Sequence, residues 1–282
     1  MAVDILLPWP EWLEQHLVPD EAFAEAYEIT GEVCRSHIKQ AIAQMAAVFG
    51  LPSSLEERRV AIMRQGGTLH TVTRPADWAI VFVNSQCQSP ARLLAALMPA
   101  IAAGVPHVLV CRVALDTEQE RCLLPLPLLA TLELAGVEWV VSLAPERAAS
   151  LLHGVMERQD SGSVVFVGAS DFGTLSEKAR EGGLRVFSLP ERVVVAVDGA
   201  LPAACRLPGE DVLRLMHPDA RIVPAEAGVG QYSAVYCAED AVGRWLPVCP
   251  LVLAPGYESL WLWSGLVPAF FMYTHHAFAP AS

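Results

Sequence analysis

The sequence predicts an α/β protein built around a parallel sheet, and three observations carry that prediction. From Ala76 onward, short runs rich in Val, Ile and Phe alternate with helical stretches rich in Ala and Leu, the pattern of repeated strand-helix-strand units. The runs are apolar throughout instead of alternating, as strands covered on both faces must be. Gly104 and Gly136 each fall between a helical stretch and the next apolar run, where the chain needs a left-handed helix stop.

Taken in order, Glu21 to Phe49 carries apolar residues at helical spacing, and Gly50-Leu51-Pro52 ends it. A second helix is expected over Ser54 to Met63, because Ser53 and Ser54 followed by Glu56 and Glu57 resemble an N-cap with early acidic residues. Strands are then expected at Trp78–Val83, His107–Cys111, Trp139–Ser142, Val164–Val167, Leu184–Phe187 and Arg192–Val197. Helices fill the gaps at Pro90–Ala103, Glu118–Ala135, Pro145–Arg158 and Phe172–Glu181, the second of them starting at or after Pro125 and Pro127. Beyond Asp198 prolines punctuate short elements. The expected organisation is an N-terminal segment (1–19), a parallel-sheet domain (75–197), a smaller interrupted α/β domain (20–74 and 198–265) and a C-terminal tail (266–282).

Composition narrows the classes of function. With 282 residues, 53% of them hydrophobic, the chain can bury a large core. A net charge of -12, with 31 acidic against 19 basic residues, argues against nucleic acid as a partner, since phosphate neutralisation needs clustered Lys and Arg. Seven cysteines without CxxC spacing, several inside apolar runs, fit a reducing compartment; with no signal-peptide pattern in the opening residues, the cytoplasm is expected. The apolar stretch 259–273 is too short for a membrane helix and contains Pro268, so no membrane partner is expected. Its run from Leu260 to Phe271 reads as an exposed surface and predicts a homodimer.

Several segments together resemble the nucleotide-binding domain of histidinol dehydrogenase, a member of the aldehyde dehydrogenase-like superfamily. They are Arg74 to Val83, Ser89 to Val110, Leu134 to Val140, Phe166 to Gly173 and Leu189 to Asp198, with a further piece at Ala254 to Phe271. The resemblance implies a Rossmann-like sheet domain, a second smaller domain and NAD as cofactor. Where the family has Tyr-Val-Pro-Gly-Gly, this chain has Phe82-Val83-Asn84-Ser85-Gln86, which replaces the glycine pair that lets a phosphate or ribose approach the backbone.

The resemblance places candidate cofactor contacts at Phe82, Ser85, Arg147, Gly168, Asp171 and Glu191. Asp171 stands where the family has an Asn near NAD; it serves either to accept from ribose hydroxyls or to cap the following helix. Arg147 stands where the family has a Gln and reads either as a pyrophosphate contact or as an exposed helix charge. The metal chemistry is degraded: His217 keeps the place of a zinc ligand, but Arg214 replaces its Gln partner, and a permanent cation on the same helix face repels zinc. Val248–Leu253 lacks the acidic ligand, and no Glu-His pair for proton transfer precedes it. His275 and His276 point apart on any regular element and read as a solvated terminus. Cys205 and Cys237 lack the context of an aldehyde dehydrogenase nucleophile.

These readings predict a histidinol dehydrogenase-like protein without zinc-dependent histidinol oxidation, retaining at most binding of NAD, another nucleotide or a small anion. Two alternatives are a metal-independent NAD-dependent oxidoreductase with Asp171 or Glu191 as base, and a non-catalytic interaction protein docking through its Trp-rich C-terminal stretch.

Overall fold

The computed structural model describes residues 8–50, 56–114, 124–158, 160–168, 172–190, 192–198, 209–226 and 232–280. Two helices open it, α1 (Asp20–Ile29) and α2 (Glu32–Phe49), followed by a hairpin of β1 (Glu57–Ile62) and β2 (Thr68–Pro75). The α/β core is β3 (Trp78–Asn84), α3 (Pro90–Ala103), β4 (His107–Val113), α4 (Leu126–Leu134), β5 (Trp139–Leu143), α5 (Pro145–Met156), β6 (Gly162–Val167), α6 (Gly173–Glu181) and β7 (Arg185–Leu189). Then come β8 (Val194–Val197), α7 (Gly209–Met216), β9 (Arg221–Pro224), β10 (Ala234–Tyr236), α8 (Val242–Trp245), β11 (Val252–Leu253) and β12 (Met272–Ala279).

The central sheet has the order β5-β4-β3-β6-β7, and every pairing in it is parallel. Counted from β3 this is the doubly wound order 3-2-1-4-5, whose switch point lies between β3 and β6. Alternation along β3 divides its side chains: Ala79, Val81 and Val83 pack with α3 and α4, whereas Trp78, Ile80 and Phe82 pack with α5 and α6. Both faces are covered, which is why the strands read as continuous apolar runs. The helix ends follow local chemistry. At the start of α3 the Ser89 hydroxyl accepts from the Arg92 N–H at 3.1 Å, Pro90 occupies the first turn, and Gly104 closes the helix at φ 78°.

A second parallel sheet of order β11-β10-β8-β9 packs against α2, α3 and α7. Helix α3 therefore serves two cores, and all its residues except Ile101 are buried. The strand expected at 192–197 exists, but β8 pairs with β9 and β10 and does not extend the central sheet. Parallel pairing with residues 27 and 39 positions away, as in Val194 with Arg221 and Val195 with Ala234, leaves no local signature.

One further expectation is corrected and two are refined. Residues 57–62 form a strand, not a helix: Gly66 and Gly67, both at positive φ, turn the chain back so that β1 pairs antiparallel with β2. The C-terminal tail forms a strand, β12, paired with β2 along its whole length, and His275 and His276 on it are exposed. The run from Leu260 to Phe271 is only partly exposed: Leu260, Trp261, Leu266 and Phe271 are buried, and Val267 is 42% exposed. No helix among the described residues is long and apolar enough to cross a membrane.

Gly162 opens β6 directly beneath Trp78, and a Cβ placed there would lie 2.0 Å from the indole ring. Trp78 is fully buried and has nowhere to move. The substitution Gly162→Ala is expected to destabilise the protein by about 1–3 kcal/mol through overpacking, read as a lower urea midpoint at unchanged slope.

Candidate functional site

Parallel doubly wound sheets bind ligands beyond the C-terminal ends of the strands, at the switch point. A cavity of about 290 Å³ lies there, between the ends of β3 and β4 and the first turns of α5 and α6. Its floor is apolar, made by Val113, Ala114, Ala149, Phe172 and Leu175; Asn84, Glu146, Thr174 and Lys178 supply polar groups. The first-turn N–H groups of α5 and α6 add partial positive charge at the same rim. A larger cavity of about 470 Å³ opens at the opposite ends of the strands, among Val105, His107, Gly136 and Trp139. The helices there end in carbonyl groups, which repel anions.

Asn84 sits at the switch point and is 3% exposed. Its Oδ1 accepts from the Cys87 N–H at 3.1 Å, which holds the side chain over the loop. Gly168, at the end of β6, has φ 93°, and a Cβ built on it would lie 2.2 Å from Asn84 Nδ2. The Asn84 amide thus packs directly on the Gly168 backbone, in the space that a glycine pair would leave open to a ligand.

The six sequence-based candidates divide three ways. Ser85 and Gly168 stand just past the ends of β3 and β6, in sequence and in space beside Asn84, and do not line the cavity; the Ser85 Oγ is buried without a hydrogen-bond partner among the described residues. Phe82 is fully buried, its ring stacked on Phe166 at 5.2 Å, so it is a core residue one step below the crevice. Arg147 is exposed on α5 and turns to His16 of the N-terminal segment, while its neighbours Pro145, Glu146 and Ala149 line the cavity. Asp171 and Glu191 lie outside the described residues. Sequence reasoning missed Asn84, Glu146, Phe172, Thr174 and Lys178. The signal available for them was position, immediately after a strand or in the first turns of the next helix.

On the other side of the crevice loop, the junction between the two parallel sheets is filled by a polar cluster. Ser89 donates from Oγ to the Met216 carbonyl at 2.7 Å. Arg92, 1% exposed, forms an ion pair with Asp219 at 3.0 Å and donates to the Pro190 carbonyl at 2.8 Å. Asp219 also accepts from the Gln88 N–H at 3.0 Å. His217, 1% exposed, places Nε2 at 3.1 Å from the Glu258 carbonyl and Nδ1 at 3.4 Å from Ser89 Oγ. The carbonyl can only accept, so Nε2 carries the proton.

Burial is the main force on His217 and lowers its pKa to about 4; Arg92 adds to the effect, while the Glu258 carbonyl and Asp219 oppose it. Both ring nitrogens face protein groups, and Arg214 on the preceding helix ion-pairs with Glu210. These residues do not fit a zinc site. Among the described residues no His, Cys, Asp and Glu side chains are grouped to hold a metal.

Thiolate chemistry finds no support among the described cysteines. Burial pushes up the thiols of Cys34, Cys87, Cys111, Cys237 and Cys249, Cys87 to about 12, where a nucleophile needs the opposite shift. Cys205 lies outside the described residues.

A neutral histidine that takes up its proton only on unfolding makes stability depend on pH. Between the unfolded value near 6.5 and the folded value of about 4, the unfolded chain binds the extra proton, so stability falls as pH drops through that window and is unaffected above it. The loss attributable to this group is on the order of 3 kcal/mol. Urea denaturation at pH 7.5, 6, 5 and 4 is expected to show a shallower pH slope for His217→Gln than for the natural protein.

Comparison with known proteins bears on the fold. Neither a protein-family model nor a curated protein matches the sequence. Among solved structures, histidinol dehydrogenase from Elizabethkingia anophelis superposes with a TM-score of 0.58 at 12% identity, covering 94% of this chain and 77% of that one. An aldehyde dehydrogenase from Bacillus cereus gives 0.45 at 10% identity, covering 93% and 84%. A NAD-dependent benzaldehyde dehydrogenase from Corynebacterium glutamicum gives 0.44 at 11%, covering 93% and 87%. The histidinol dehydrogenase likeness carries the comparison, and at that identity it extends to the fold alone: the chain has an α/β fold similar to that of histidinol dehydrogenase.

Proposed function

We propose that this protein is a histidinol dehydrogenase-like protein that binds a nucleotide or small anionic ligand at the switch-point crevice and does not carry out zinc-dependent oxidation of histidinol. The observation that carries the reading is the cavity at the ends of β3 and β4, with an apolar floor for a flat ring and Lys178, Thr174 and helix N–H groups at its rim for an anion. Supporting the lack of histidinol chemistry, His217 donates its Nε2–H to the Glu258 carbonyl and sits with Nδ1 3.4 Å from Ser89 Oγ in a junction closed by the Arg92–Asp219 pair.

Ligand binding to the native state raises the unfolding midpoint. A nucleotide supplied at about 100 times its Kd stabilises by about 2.7 kcal/mol, which for a chain of this size corresponds to a rise of roughly 5 °C or more. Thermal-shift titration with NAD, NADP and ADP at millimolar concentration is the test. A flat midpoint with all of them would sink the reading and favour an interaction protein. Histidinol turnover with NAD, with and without added zinc, is expected to stay at background.

We also propose that the protein is a homodimer, with its contact on the sheet of β1, β2 and β12. Val60 and Ile62 are 62% and 87% exposed on one face of that sheet, Phe278 is 71% exposed on the other, and β1 and β12 both present open edges among the described residues. Light scattering is expected to give a dimer mass at micromolar concentration and a monomer mass for Ile62→Glu.

A further inference from the structure

The nucleotide reading leaves the size of the ligand open, and the crevice itself constrains it. Resting on that reading, we infer that the site holds no more than one mononucleotide unit, such as a nucleoside mono- or diphosphate, and leaves the second half of a dinucleotide cofactor outside it. Two independent features of the chain carry this.

The first is room. A volume of about 290 Å³ lies at the small end of ligand pockets, which run from roughly 300 to 1,000 Å³. A base and its ribose occupy such a space; a second nucleoside joined through a pyrophosphate must continue past the switch point. That route is occupied by the chain's own atoms. The Asn84 amide lies against Gly168 so closely that even a methyl group on the glycine would collide with it. The amide is tethered to the Cys87 N–H, and Asn84 is 3% exposed, so it is not a side chain free to swing into solvent.

The second is what lies beyond. Across the loop is the junction between the two sheets, and Ser89, Arg92, His217 and Asp219 fill it, joined to each other and to the Met216, Pro190 and Glu258 carbonyls. Opening it would strand the Arg92 charge, since its ion pair and a carbonyl contact are made in that junction. The residues present fit one half of a dinucleotide and leave no room on that side for the other.

The ligand class follows from the rim. Lys178 provides the cation and Thr174 a hydroxyl beside the N-terminus of α6, which suits a terminal phosphate; Phe172, Val113 and Leu175 provide the apolar contact for a base. Ala114 stands just past the end of β4 and cannot accept from ribose hydroxyls through its side chain.

Isothermal titration of the full chain with ADP and NAD tests the inference. The expected result is that the two bind within about tenfold of each other, the second half of NAD adding no contact, and that Lys178→Ala weakens ADP. NAD binding more than about tenfold tighter than ADP would overturn the size limit and leave the nucleotide reading standing. Failure of every nucleotide to bind would overturn the nucleotide reading and this inference with it. Asn84→Gly supplies an internal control: with the crevice opened, the affinity of NAD relative to ADP is expected to rise, and an unchanged ratio in a folded variant, checked by circular dichroism, would overturn the role given to Asn84.

Discussion

Arg92 is a permanent cation in the first turn of a helix that is buried on nearly every side, and the arrangement of the molecule turns on how that charge is accommodated. A guanidinium removed from water costs several kcal/mol unless it is paired. The chain brings groups from two places to it: the Pro190 carbonyl after β7, and Asp219 from the loop after α7. The indole of Trp263 adds a face 5.6 Å from the guanidinium, and its N–H donates to the Arg92 carbonyl. One buried charge thereby ties the second sheet to the first at this junction.

The rest of the junction follows from the same constraint. Asp219, drawn in by Arg92, also accepts from the Gln88 N–H and so orders the loop that leads into α3. The Asp219 carboxylate lies near Cys87 and, after burial, helps to raise its thiol pKa. Ser89 caps α3 and reaches Met216, which brings His217 under the Trp261 ring at 5.2 Å between centroids. Tyr236 completes the set by donating to Glu258, the residue whose carbonyl holds His217, and burial with that carboxylate raises the tyrosine pKa. The histidine in this setting is buried, with Nε2 on a carbonyl and its ring against Trp261.

How much of this was legible in the sequence depends on the range of the interaction. The strands of the central sheet could be read because burial on both faces leaves uninterrupted apolar runs, and the helix stops because Gly104 and Gly136 adopt positive φ. The β1 strand was not, because Glu57 to Ile62 is exposed along its whole length and shows no alternation, while the serines before it imitate a helix cap. The Gly66-Gly67 pair was the available hairpin signal. Membership of β8 in the second sheet was out of reach, since it is decided by pairing with β9 and β10. At the site, the loss of glycines after β3 was plain, but its consequence, an amide lodged against Gly168, required the register that sets Phe82 beside Phe166 and so brings Asn84 to the end of β6. Arg92 carried its own signal in retrospect, a single charge in an otherwise apolar helix.

The central sheet and the junction are held in different ways. The sheet is held by apolar contact on both faces, spread over many residues, so single replacements at the strand ends leave it intact. The junction rests on a few coupled polar groups: removing Arg92 would leave Asp219 buried without its cation, at a cost of about 3–5 kcal/mol for a broken buried pair, and would release the carbonyl contact at the end of β7. That coupling leaves the α5 and α6 side of the sheet, whose cavity lining includes neither member of the pair, as the face where side chains can be replaced one at a time.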